Sequence, residues 1–288
     1  CTDPVVCPHF DKCAKDAPEH PLTCVPELRR EQEQAWHEQG IEDVEGLDPD
    51  SRDLSPLQRR AIQATQSSAP IIEPFVATDA RDVPLPVFLV EFASSLQVLP
   101  KYDGDRPWSH LPFAWSISLI GQDAVSETRS FVAEGKGDPR NEFADALLGA
   151  LDGAGALIGY GAAVEARLRD LLDGSVDNKR GIRALLSQGV LDLQLLVKDG
   201  VYAPGQQGSF ELNRVHRALL PGSELESAPT DIVDNGSASR AFERLLTSRV
   251  RQVTRDKTRQ SIGTWLEHRS RVMAELYLCL RTGAPASA

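Results

Sequence analysis

No apolar run approaches the roughly 18 residues that a membrane-spanning helix needs, which excludes a helical membrane protein and leads us to expect a soluble one. There is no G-x-S-x-G, H-E-x-x-H or Walker pattern, and Gly121 and Gly135-Lys-Gly137 do not form a phosphate-cradling loop. The five cysteines are odd in number and show none of the C-x2-C spacing of common zinc sites, and so long a chain does not need disulfide staples. The sequence opens at Cys1 without methionine, basic region or apolar leader. We therefore expect a processed chain or, in preference, a piece of something longer, and the residues after Cys1 do not favour a lipoprotein start.

The 288 residues, 41% hydrophobic and 25% charged, can bury a sizeable core, as one large α/β domain or as a smaller domain with an appendage. The net charge of −11 is unevenly placed: residues 1–80 hold sixteen acids against seven bases, which leaves only −2 for the rest. Residues 240–271 hold nine bases and three acids. Within that stretch Arg249, Arg251, Arg255, Lys257 and Arg259 could neutralise several phosphates and give salt-sensitive, sequence-independent binding. A solvated charged helix face is the commoner use of such a run, and only Trp265 lies nearby for base stacking. Cys1, Cys7 and Cys13 are evenly spaced thiols of the kind that suit an iron–sulfur cluster or zinc, the alternative being a reduced cysteine-rich stub.

Capping signals predict a helix over residues 26–39, with Pro26 in its first turn and Gly40 after its end. A second begins at Ser55-Pro56 with Ser55 as N-cap. Residues 67–80, rich in serine and proline, read as a linker. The run 85–92 (LPVFLVEF) is expected to be a buried central strand, and residues 111–120 alternate like a half-buried one. Residues 128–133 supply its antiparallel neighbour. Helix 141–151, strand 156–160 and helix 164–172 follow. An antiparallel meander running into a parallel crossover predicts an α/β fold with a mixed sheet flanked by helices, the order of RNase H-like folds.

Two resemblances sharpen this reading. Cys7-Pro-His-Phe-Asp-Lys-Cys13, His20-Pro-Leu22, the 26–41 segment and Leu54-Ser-Pro-Leu-Gln58 resemble the end of a RecB-family nuclease module of the CRISPR-associated exonuclease type. That resemblance implies a [4Fe–4S] cluster held by Cys1, Cys7, Cys13 and a fourth cysteine upstream of this chain, with Cys24 an ordinary thiol. Phe88-Leu-Val-Glu-Phe92, Arg106-Pro107-Trp108, Asp138-Pro-Arg140, Ile158-Gly-Tyr160, Val190-Leu-Asp192-Leu193, Gly208-Ser-Phe210 and Asp234-Asn-Gly236 resemble a bacterial domain of unknown function similar to DnaQ-like 3′→5′ exonucleases. Together they imply a truncated nuclease end at 1–24, a helical connector and linker at 25–80, an exonuclease-fold domain at 81–282 and a flexible tail at 283–288. The missing signal and the thiol usage lead us to expect a cytoplasmic protein.

DnaQ-like enzymes use two divalent metals held by four carboxylates. The resemblance aligns Glu91 and Ala93 with the first-strand Asp-x-Glu. It keeps Glu165 as the second-motif acid and places Val272 where the last Asp belongs, four residues after His268. Glu91 and Glu165 are thus the remnant catalytic carboxylates. We expect Mg²⁺ or Mn²⁺ chemistry only if the altered site still works, for example through Glu275 or Asp192. For Asp192 a hydrogen-bonding role at a strand or helix end is favoured, and for His268 a partly exposed helical position. The expected function is a degenerate exonuclease-like appendage of a RecB-type nuclease that binds nucleic acid or another protein, DNA and RNA being the candidate ligands. The alternatives are an active exonuclease with rearranged ligands or a purely structural domain.

Overall fold

The computed structural model describes residues 12, 15, 17–122, 124–151, 155–174, 176–226, 228–246 and 250–283. Cys1, Cys7, Cys13, Arg249 and residues 284–288 lie outside them.

In the N-terminal part, helices α1 (Arg30–Glu38) and α2 (Pro56–Gln66) are joined through two buried glutamines. Gln32 Oε1 accepts from the Arg29 N–H and Gln58 Oε1 from the Ser55 N–H, while Gln58 Nε2 donates to Gln32 Oε1 at 3.2 Å. Ser55 caps α2 as expected. Helix α1 starts at Arg30 rather than Pro26, because Glu27 takes a φ of 52°, outside the helical region. Leu22, Val25, Val44, Leu47, Leu54 and Ile62 give this part a small core.

Residues 67–80 are not a linker. Strand β1 (Ile71–Ile72) pairs antiparallel with Tyr202 and Val201. Helix α3 (Pro74–Asp82) begins on Pro74, which serves as an N-terminal helical residue and not as a breaker. It buries Val76 and Ala80 in the main core.

The sheet follows: β2 (Val87–Gln97), β3 (Ser109–Ile120), β4 (Val125–Val132), helix α4 (Arg140–Ala150), β5 (Ala156–Gly159), helices α5 (Ala163–Asp173) and α6 (Lys179–Gln188), and β6 (Val190–Asp192). Helix α7 (Leu193–Gly200), β7 (Val201–Tyr202) and helices α8 (Leu212–Leu219), α9 (Asn235–Leu245) and α10 (Gln252–Thr282) complete the described elements. The five-stranded order is β4-β3-β2-β5-β6, with β2, β3 and β4 antiparallel and β5 and β6 parallel to β2. This is the expected mixed sheet flanked by helices, meander first and crossover second.

Strand β2 reads as a continuous apolar run because both of its faces are covered. Val87 and Leu89 pack with Ile158 against α3, α7, α8 and α10. Phe88, Val90 and Phe92 pack against α4, α5 and α6. Strand β3 is buried on both faces as well, not half-buried as its alternation suggested. Its polar positions face a helix rather than water: Ser116 and Ser118 hydroxyls lie 2.8 and 3.0 Å from that of Ser270 on α10. Small hydrogen-bonded residues let the helix approach the sheet closely without stranding a polar group. Helix α10, 31 residues and so about 46 Å long, is charged along one side, and among the described residues no helix is long and apolar enough to cross a membrane.

The Ser270 contact gives a test. Ser270→Leu forces extra volume against β3 and removes two buried hydrogen bonds, although Ser116 keeps the Arg129 carbonyl and Ser118 the Thr128 hydroxyl, so urea unfolding should show a loss of about 1–3 kcal/mol, most of it from overpacking. Leu195→Ala, at a position 56% exposed, should change stability by under about 0.5 kcal/mol.

Candidate functional site

The site lies where the C-terminal ends of the parallel strands meet α10. Glu91 is central on β2, in register with Ser116 of β3. A carboxylate in a strand buried on both faces needs a partner, and it has one: Arg269 of α10 donates from Nε to Glu91 Oε1 at 2.7 Å. The two side chains are 23% and 13% exposed. The same guanidinium lies over the Trp265 ring, 5.5 Å from its centroid. Tyr160, just past β5, donates its hydroxyl to the Phe210 carbonyl. Burial raises its phenol well above the usual range, the charges of Asp192 and Glu211 raise it further, and Arg269 works against them. Arg269, Asp192 and Glu211 therefore all act on one place.

The other positions expected to hold metal do not build a carboxylate cage around Glu91. Glu165, in the first turn of α5, is ion-paired with Arg169 one turn along the same helix. Ala93 is fully buried among Phe113, Phe242, Trp265 and Leu266. Val272 is fully buried in the core on the α10 side. Both positions that the resemblance aligned with metal ligands thus lie in hydrocarbon. Asp192 caps α7, its Oδ1 accepting from the N–H groups of Gln194, Leu195 and Gly161, which is the role favoured for it. Glu275 is engaged elsewhere: its Oε2 takes the Ser223 hydroxyl and lies 2.7 Å from His216 Nε2. Among the described residues, no three His, Cys, Asp or Glu side chains form a group that could hold a metal ion. The residues present do not fit a two-metal pair.

His268 differs from expectation. It is buried, with Nε2 at 3.0 Å from the Leu225 carbonyl, because α10 is covered there by the segment after α8. The three cluster cysteines lie outside the described residues. Cys24 is buried, and burial pushes its thiol up to about 11, which suits an inert thiol and not a thiolate ligand.

The basic stretch divides in two. Buried Arg255 sends one guanidinium nitrogen to the carbonyls of Glu134, Gly135 and Leu245. Arg259 donates twice to the Val132 carbonyl. These two fasten α10 to the sheet. Arg251 and Lys257 are exposed, and Arg249 is outside the described residues.

Sequence reasoning missed Arg269 as the partner of Glu91 and His216 as the partner of Glu275. The signal for the first was present: a carboxylate inside an apolar strand demands a cation, and the basic stretch supplies candidates. Nothing in the spacing marked the second.

The fold and site together define an α/β domain with a mixed five-stranded sheet and an acidic position closed by an internal cation. Residues 88–211 match the family model described as Domain of unknown function (DUF2779), a span that runs from β2 to the residue before α8. Neither the curated proteins nor the solved structures contain a match to this chain.

Two predictions follow from the geometry. A double-mutant cycle with Glu91→Gln and Arg269→Met should return a coupling of about 0.5–3 kcal/mol, with the single Arg269→Met variant the least stable because it strands a half-buried charge. Additive effects would contradict the pairing. The second concerns pH. Burial holds His268 below its ordinary 6.5; the bond to the Leu225 carbonyl opposes this, and His216, Arg269 and Arg271 add to it. As pH falls the unfolded chain therefore takes up a proton before the folded one, so the contribution of His268 is complete above about 6.5 and is lost below it. His110, held low by burial and by Arg167, acts in the same direction. Tm should fall on acidification from about pH 7 to 5.5, and His268→Gln should flatten that fall. An unchanged pH profile would contradict this account.

Proposed function

We propose that this chain carries a degenerate exonuclease-like domain that serves as a binding appendage to a RecB-type nuclease module and does not itself cut nucleic acid. The observation that carries the reading is the ion pair on Glu91. A divalent metal at that carboxylate would face a guanidinium already bonded to it, and the neighbouring ligand positions are alanine and valine in hydrocarbon. Hard cations need several oxygen ligands, and apolar side chains supply none. Support for the exonuclease kinship comes from the meander-then-crossover strand order and from the sequence motifs. Arg251 and Lys257 are the exposed cations through which the appendage would hold a phosphate backbone, since Arg255 and Arg259 are committed to carbonyls. In the full-length protein Cys1, Cys7 and Cys13, with an upstream thiolate, would hold the [4Fe–4S] cluster of the nuclease module.

The test is degradation of labelled single- and double-stranded DNA and RNA by the intact chain in Mg²⁺ and in Mn²⁺. No degradation above that of a Glu91→Gln, Glu165→Gln variant is expected. Nucleic-acid retention at low salt should drop severalfold in Arg251→Ala, Lys257→Ala. Degradation that the acid substitutions abolish would instead establish an active exonuclease with rearranged ligands.

A further inference from the structure

We propose that the free edge of β4 pairs with the same strand of a second copy of this chain, joining two five-stranded sheets across a two-fold axis at Thr128. β4 ends the sheet opposite β6 and runs for eight residues, VSETRSFV, without proline, glycine or lysine. Its register with β3 slips at its start, between Leu119 and Ile120, and is regular over residues 127–132. Just past the strand, the Ala133 N–H bonds to the Phe113 carbonyl at 2.9 Å, which sets the phase of the ladder. By the antiparallel alternation, residues 127, 129 and 131 bond to β3, while the N–H and C=O of Thr128 and Ser130 point outward. Among the described residues no strand takes them up.

Charge selects the occupant. An edge protected by lysines repels a copy of itself, whereas β4 carries one acid and one base two residues apart. Ser126-Glu127-Thr128-Arg129-Ser130 reads the same from either end, with glutamate exchanged for arginine. An antiparallel copy turned about Thr128 therefore sets Glu127 across from Arg129 of the second copy, and Arg129 across from its Glu127. Within one chain these two side chains, 46% and 50% exposed, already bond at 2.6 and 2.7 Å. The axis closes them into a square of four alternating charges. It also makes Thr128 the position that exchanges backbone hydrogen bonds with its own copy. An axis at Glu127 or at Arg129 would set like charges face to face. Val125, Ser126, Glu127 and Arg129 are exposed, so this stretch is open to a second chain. Exposed ion pairs are weak; the charges fix register and partner, and the backbone bonds and the covered edge supply the affinity. β4 lies two strands from Glu91, so the inference stands apart from the fate of the acidic site.

The test is sedimentation equilibrium of the intact chain at low salt, over about 1–100 µM, where a monomer–dimer equilibrium is expected. Glu127→Arg alone and Arg129→Glu alone should each weaken self-association at least tenfold, because each gathers four like charges at the axis. Mixed one to one, the two variants should form a heterodimer, since every cross-strand pair is then of opposite sign. The double variant Glu127→Arg, Arg129→Glu should dimerise as the wild type does. Thr128→Pro, which removes an outward N–H and leaves the ladder to β3, should also weaken the dimer. The two charged side chains are exposed, so their variants should keep the wild-type circular dichroism. A wild-type chain that stays monomeric throughout would overturn the proposal and leave the edge free or open to a different chain. So would a dimer that these substitutions leave intact, or single variants that fail to associate when mixed.

Discussion

A charge in the middle of a strand that is covered on both faces must be neutralised where it stands, and Glu91 imposes that requirement on the whole domain. Arg269 meets it from α10, and in doing so sets where that helix crosses the sheet. One residue on, Ser270 rests between Ser116 and Ser118, and earlier in the helix Gly263 passes over Ser130 and Val132. Arg255 and Arg259 then bind the carbonyls at the end of β4 and just beyond it. The basic stretch is in good part the means by which one long helix is held to a sheet, which explains its local charge better than solvation alone does.

The same constraint separates this site from a metal site. A guanidinium neutralises one carboxylate at short range with directed hydrogen bonds, whereas a divalent pair needs several carboxylates that repel one another until the metals arrive. With Ala93 and Val272 buried in hydrocarbon, the surroundings of Glu91 suit the first arrangement and not the second. An ion pair occupies the position that the sequence resemblance aligned with the first metal ligand.

Much of the fold was legible because its signals are local. The double-sided burial of β2 shows as an unbroken apolar run, the cap of α2 as Ser55-Pro56 with Gln58, and the role of Asp192 as an acid just before a helix. The errors came where long-range contacts override local pattern. Residues 67–80 look like a linker until the partner of β1, the distant segment Val201–Tyr202 with which it forms a separate two-stranded sheet, is known. The alternation of β3 looks half-solvated until Ser270 arrives from 152 residues along the chain from Ser118. For the site, the carboxylates missing from the resembled pattern could be read from sequence, but the cation that pairs with Glu91 could not be picked from nine bases without the helix register.

The most direct check on the Glu91–Arg269 pairing is a crystal structure of the intact chain grown in Mn²⁺, with anomalous scattering used to locate the metal. Arg269 Nε bonded to Glu91 and no manganese peak beside that carboxylate is the expected result. Manganese bound between Glu91 and Glu165, with Arg269 turned away, would contradict the account and establish a metal site at Glu91.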